Sequence, residues 1–110
     1  QNKRDKLEDY EYASIATLGL LAYKRNRPDI GRKLYRKTIK HFSDSNNHYN
    51  QVSAFINFFI EEIKVLTNVE ALEKLRKELD DIIYKDDEYE LIFRRGKVMK
   101  QFNDRVAKLK

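Results

Sequence analysis

"IATLGLLAYKRNRPDIGRKLYRKTI", residues 15 to 39, decides the fold. Its first half has the spacing of a helix, yet Gly19 stands in the middle of that helix among Leu18, Leu20 and Leu21. A glycine there costs about 1 kcal/mol relative to alanine. A mid-helix glycine therefore has a packing reason, and the simplest one is that a second helix backbone comes close at that point. The second helix follows at once. Asn26-Arg27-Pro28 breaks the chain, and proline is well suited to the first turn of a new helix. Gly31 and Thr38 then place small residues on the facing side of that helix. Two helices joined by so short a turn pack antiparallel.

Outward from this pair, apolar spacing places five helices. The first spans about Asp5 to Arg25, with Leu7, Tyr12, Ile15, Leu18, Gly19 and Ala22 at core spacing. Leu20, Leu21 and Tyr23 fill its other side, which predicts a second half covered on both faces. The second, Pro28 to about Phe42, has Ile30, Gly31, Leu34, Tyr35, Thr38, Ile39 and Phe42 inward. "SDSNN", residues 43 to 47, reads as a loop. The third, about His48 to Leu66, carries Val52, Phe55, Ile56, Phe59, Ile60 and Ile63 at spacings of three and four. Thr67-Asn68 is a break with a cap. The fourth, about Val69 to Tyr84, turns Leu72, Leu75, Leu79, Ile82 and Ile83 inward. "KDDE", residues 85 to 88, restarts the chain, with Asp86 or Asp87 as a cap. The fifth carries Tyr89, Ile92, Phe93, Gly96, Met99, Phe102, Val106 and Leu109.

Composition agrees. One hundred and ten residues make one domain, and three glycines with one proline leave too few turns for a sheet protein. Cysteine is absent, so there is no disulfide and no thiolate metal site; a reducing, cytoplasmic setting is expected. No apolar run approaches the roughly 18 residues of a membrane span. A chain that opens on Gln1 reads as a piece of a longer protein. The net charge of +5 is unevenly spread. Lys24 to Lys40 holds eight basic residues and one acid, Glu70 to Glu90 nine acids and four bases, and Arg94 to Lys110 seven bases and one acid. Basic blocks can hold an anionic partner, but acidic and basic surfaces that face each other are the plainer reading.

Residues 15 to 39 resemble the tetratricopeptide repeat, a helix-turn-helix of about 34 residues. Leu18-Gly19 stand at the repeat's Leu-Gly pair, with Tyr23-Lys24 at the right distance beyond. Gly31 stands at the small residue that opens the second helix, Tyr35 at its aromatic and Thr38 at its late small residue; Ile15 occupies the position that is often Trp. The turn departs from the family's Gly-Asp, and Ser43 stands where its proline would be. The second hairpin matches less well: Phe55 is in the Trp-like place and Ala71 in the small-residue place, but Phe58-Phe59 replace Leu-Gly. The resemblance implies an all-α, TPR-like α-α superhelix: one repeat over about 12–45, a second over about 48–84, and a C-terminal capping helix over about 87–110.

It also implies a job, protein–protein interaction. In such arrays the first helices line a concave groove. Here that groove would hold Ala13, Ala16, Thr17, Leu20, Tyr23 and Lys24, then Ser53, Ile56, Asn57, Ile60 and Lys64. Only Lys24 and Lys64 could clamp a terminal carboxylate, so an amphipathic partner helix, or other domains of the parent chain, is the expected occupant. The plainer reading makes these apolar residues core. The alternative function is a nucleic-acid-associated module acting through Arg32, Lys33, Arg36, Lys37 and Lys40, although no aromatic is interleaved to stack bases. "RKTIKH", residues 36 to 41, also has the Arg-x4-His spacing of HEPN-type ribonucleases; against that, Arg36 reads as solvated and His41 as a helix-end residue. His41 and His48 have only Asp44 near them in sequence and make no metal site. Glu61-Glu62 are neighbours in sequence and diverge around a helix, so they form no catalytic dyad. No cofactor motif and no enzyme signature is present.

Overall fold

The computed structural model describes residues 3–83 and 95–110. These are all-helical, with no strand among them. The elements are α1 (Lys3–Lys24), α2 (Pro28–Asp44), α3 (His48–Val65), α4 (Val69–Ile83) and α5 (Arg95–Leu109). Among the described residues no helix is long and apolar enough to cross a membrane. The expected features at Tyr84, residues 85 to 88, Tyr89, Ile92 and Phe93 lie outside the described residues, as does the side chain of Leu7.

The helix ends have local causes. α1 and α2 finish in the same way. Asn26 (φ 62°) and Asn46 (φ 57°) adopt the left-handed conformation. Around each, two backbone bonds close the helix: Asn26 N–H to Tyr23 O and Arg27 N–H to Ala22 O, then Asn46 N–H to Ser43 O and Asn47 N–H to Phe42 O. This is a Schellman motif with asparagine in the glycine position. Because of it α2 continues through Ser43 and Asp44, so the loop expected over residues 43 to 47 shortens to the residues after Asp44. Pro28 starts α2 as expected. Asn47 Oδ1 accepts the Asn50 N–H, and Asn68 Oδ1 accepts the Ala71 N–H, so these two side chains cap α3 and α4.

The chain forms two compact units, Gln1–Phe58 and Phe59–Lys110. In the first, α1 and α2 form an antiparallel hairpin. The glycines meet across it. A methyl group on Gly31 would stand 2.9 Å from the Gly19 carbonyl oxygen, and one on Gly19 would stand 3.3 Å from the Gly31 carbonyl oxygen. Tyr23 and Tyr35 flank this crossing, with ring centroids 6.1 Å apart. Further along, Thr38 Oγ1 lies 3.2 Å from the Tyr12 carbonyl oxygen, and His41 meets Asp9. From Gly19–Gly31 to Tyr12–Thr38 to Asp9–His41, each step forward on α2 is matched by an equal step back on α1. The hairpin therefore keeps one register throughout. Tyr35, Thr38, Ile39 and Phe42 of α2 and Val52, Phe55, Ile56 and Phe58 of α3 are buried in this unit.

Two expectations for this unit are corrected. Leu18 is 55% exposed and Leu21 46% exposed, so the second half of α1 is covered on one side only. The cause is angular: both lie away from Gly19, on the far side of the helix from α2. Ile30, expected in the α2 stripe, is 42% exposed, because the stripe begins at Gly31.

In the second unit Phe59, Ile63, Leu72, Leu75, Leu79, Ile83, Val98, Phe102 and Val106 are buried. Phe59 and Phe102 stack at 5.8 Å. Arg105 donates from Nη2 to the Leu66 carbonyl oxygen at 2.8 Å, which satisfies a carbonyl left over at the end of α3. Gly96 is not a packing position: nothing lies within 4 Å of where its side chain would be. The α5 stripe runs instead through Val98, Phe102 and Val106 at four-residue spacing.

Candidate functional site

The expected groove residues of α1 divide by exposure. Ala13, Thr17 and Lys24 are exposed, while Ala16 and Leu20 are half-buried. They form one strip, since spacings of three and four return to the same side of a helix. Tyr23 does not belong to it. Its ring lies against Gly31, where a methyl group would be only 2.5 Å away, and only 9% of the residue is exposed. Tyr23 is therefore a core residue that the glycine contact requires. On α3, Asn57 is exposed, Ser53 and Ile60 are half-buried, and Ile56 is buried. Lys64, in the second unit, is exposed and pairs with Glu61 at 3.1 Å. Glu61 and Glu62 are both buried, and each has an interaction partner.

The basic side of α2 is partly committed. Lys33, Arg36, Lys37 and Lys40 are exposed and Arg32 is half-buried. Lys40 pairs with Asp44 at 3.0 Å, an exposed ion pair of small energetic consequence. The Arg36 guanidinium lies 4.8 Å from the Phe58 ring centre and 5.7 Å from that of Phe55. The two rings belong to α3 and are buried, so they serve the guanidinium and are closed to a nucleic-acid base.

His41 lies in the last turn of α2, at the helix end expected for it. Its Nε2 is 3.2 Å from Asp9 Oδ1, and its ring stacks on Tyr12 at 3.8 Å and 5°. Asn47 donates its side-chain N–H to the other Asp9 oxygen at 3.1 Å. A carboxylate only accepts, so Nε2 is the donor in this contact. The carboxylate beside His41 is thus Asp9, 32 residues away, and not Asp44. One sequence signal could have found it: once Gly19 faces Gly31 in an antiparallel hairpin, the same register sets Asp9 opposite His41. Arg36 and His41 are about 140° apart around α2, and each engages different neighbours. Among the described residues no group of three His, Cys, Asp or Glu could hold a metal ion.

The Asp9 cluster ties the start of α1 to the turn after α2. Asp9→Ala removes the acceptor of two hydrogen bonds and is expected to cost about 1–3 kcal/mol. Asp9→Asn keeps one acceptor and is expected to cost roughly half as much. Urea unfolding followed by circular dichroism measures both.

No protein-family model, no curated protein and no solved structure matches the chain.

Proposed function

We propose that this chain is a docking module of tetratricopeptide type, which binds a protein or peptide and performs no chemistry of its own. One observation carries the reading. The backbones of α1 and α2 approach at Gly19 and Gly31, with Tyr23 and Tyr35 around the crossing. These are the positions at which the resemblance calls for small and aromatic residues. In this reading the partner, an amphipathic helix, lies along Ala13, Ala16, Thr17, Leu20 and Lys24. The cysteine-free composition suits a cytoplasmic setting.

A displayed library of amphipathic helical peptides, panned against the chain, is the test. Binders are expected, and Thr17→Arg is expected to weaken them by about tenfold or more by blocking the strip. Thr17 is exposed, so the melting curve should not change. Binders indifferent to Thr17→Arg and Lys24→Glu would overturn the reading. Binding that is strong for single-stranded RNA, steeply salt-dependent and lost on neutralising Lys33 and Lys37 would favour the basic side of α2 instead.

A further inference from the structure

The side of α1 turned away from α2 has an order of its own. Tyr10, Leu18 and Leu21 are exposed on it at 72%, 55% and 46%. Ser14 and Thr17 lie between them, and neither hydroxyl faces outward for a partner: Ser14 Oγ donates to Tyr10 O at 3.1 Å and Thr17 Oγ1 to Ala13 O at 3.2 Å. Hydroxyls bonded back to their own helix leave carbon outward. Apart from the Tyr10 hydroxyl at one end, the strip is therefore apolar, and the Ser14 and Thr17 hydroxyls are already satisfied for burial.

The charges at its two ends say what covers it. Glu11 and Arg25 are both exposed, and they stand seven residues before and seven residues after Leu18. Seven residues is close to two helical turns, and Arg25, one residue past the end of α1, still donates its N–H to Leu21 O at 3.0 Å, so all three share a side, with each charge about 10 Å from Leu18 along the axis. We propose that this strip pairs with the same strip of a second copy, antiparallel, about a two-fold axis at Leu18. In that arrangement Leu18 meets Leu18, Leu21 seats beside Ser14, and Glu11 meets Arg25 twice over. A parallel pair would instead set Glu11 on Glu11 and Arg25 on Arg25. Such self-complementarity is what an isologous interface requires. The inference needs only the hairpin and not the docking reading, because the strip is centred on Leu18 and Leu21 rather than on Ala13 and Leu20.

One helix face buries an area at the low end of specific interfaces, so the dimer is weak and its dissociation constant is about 100 µM. Sedimentation equilibrium of the whole chain is expected to give monomer at about 1 µM and mostly dimer at about 1 mM. Glu11→Arg alone and Arg25→Glu alone should each raise the dissociation constant about tenfold or more, and the two together should restore it to within about threefold. The chain has no cysteine, which permits a direct geometric readout. Under mild oxidation Leu18→Cys, at the axis, should cross-link into a covalent dimer far faster than Ala13→Cys, which is exposed on the same helix but off the axis. Either a chain that stays monomeric at about 1 mM, a double swap that fails to restore pairing, or equal cross-linking of the two cysteine variants overturns the proposal. A monomer that still binds helical peptides would do so while leaving the docking reading standing.

Discussion

Gly31→Ala is expected to destabilise the hairpin by about 2–3 kcal/mol, while Gly19→Ala, the same change on the facing helix, should fall within roughly 0.5 kcal/mol of the parent. The difference is one of space. A methyl group on Gly31 would lie 2.5 and 2.7 Å from two ring carbons of Tyr23 and 2.9 Å from the Gly19 carbonyl oxygen. Tyr23 is buried beside Tyr35, and the carbonyl belongs to a helix, so neither can yield without moving α1. A methyl group on Gly19 would lie 3.1 Å from a ring carbon of Tyr35 and 3.3 Å from the Gly31 carbonyl oxygen. A shift of a few tenths of an ångström relieves those contacts. Against both stands the gain of about 1 kcal/mol in helix propensity from glycine to alanine. At Gly19 that gain offsets the crowding; at Gly31 it does not. Urea midpoints of the two variants decide the matter. Equal midpoints would mean that the helices do not touch at this crossing. A double-mutant cycle with Tyr23→Leu adds a second measurement: the smaller side chain should recover a large part of the Gly31→Ala loss, a coupling of at least about 1 kcal/mol.

The crossing was legible in the sequence because a glycine within a helical pattern has few explanations. The helical class and the start of α2 at Pro28 were legible for similar reasons, being set by residues whose backbone preferences are strong. Leu18 and Leu21 show where periodicity stops informing. Apolar residues all round a helix say that it can be covered on both sides, and only the fold shows that α2 takes one. The end of α2 was misplaced because "SDSNN" reads as loop chemistry throughout, whereas the left-handed Asn46 alone marks the turn. The Asp9–His41 pair and the seat of Arg36 were illegible for another reason. Both depend on the register between elements, and no residue pattern within one helix states it. Of the candidate strip, the exposed members were placed by helical spacing alone, while Tyr23 needed the Gly31 contact to be recognised as core.

Phe58→Ala is the second large effect expected, a loss of about 3–5 kcal/mol. Phe58 is fully buried, its ring 5.8 Å from that of Tyr35 and 5.7 Å from that of Phe55, edge to face. It also carries the Arg36 guanidinium at 4.8 Å. Two effects could account for its weight, burial of the ring and attraction of the cation, and their magnitudes separate them. Arg36 is exposed, and a cation over a ring at an exposed site contributes about 0.5–1 kcal/mol. Burial of a phenylalanine is several times larger. Phe58→Leu, which keeps most of the volume and removes the ring, should therefore cost only about 1–1.5 kcal/mol. Arg36→Gln should cost no more than about 1 kcal/mol. If Arg36→Gln proved as damaging as Phe58→Ala, the cation would be holding α2 against α3. The expected order, with the ring's bulk first and the charge last, makes α3 a packed support for the hairpin. It also leaves Lys33 and Lys37, which no ring among the described residues holds, as the part of the basic side able to meet a partner.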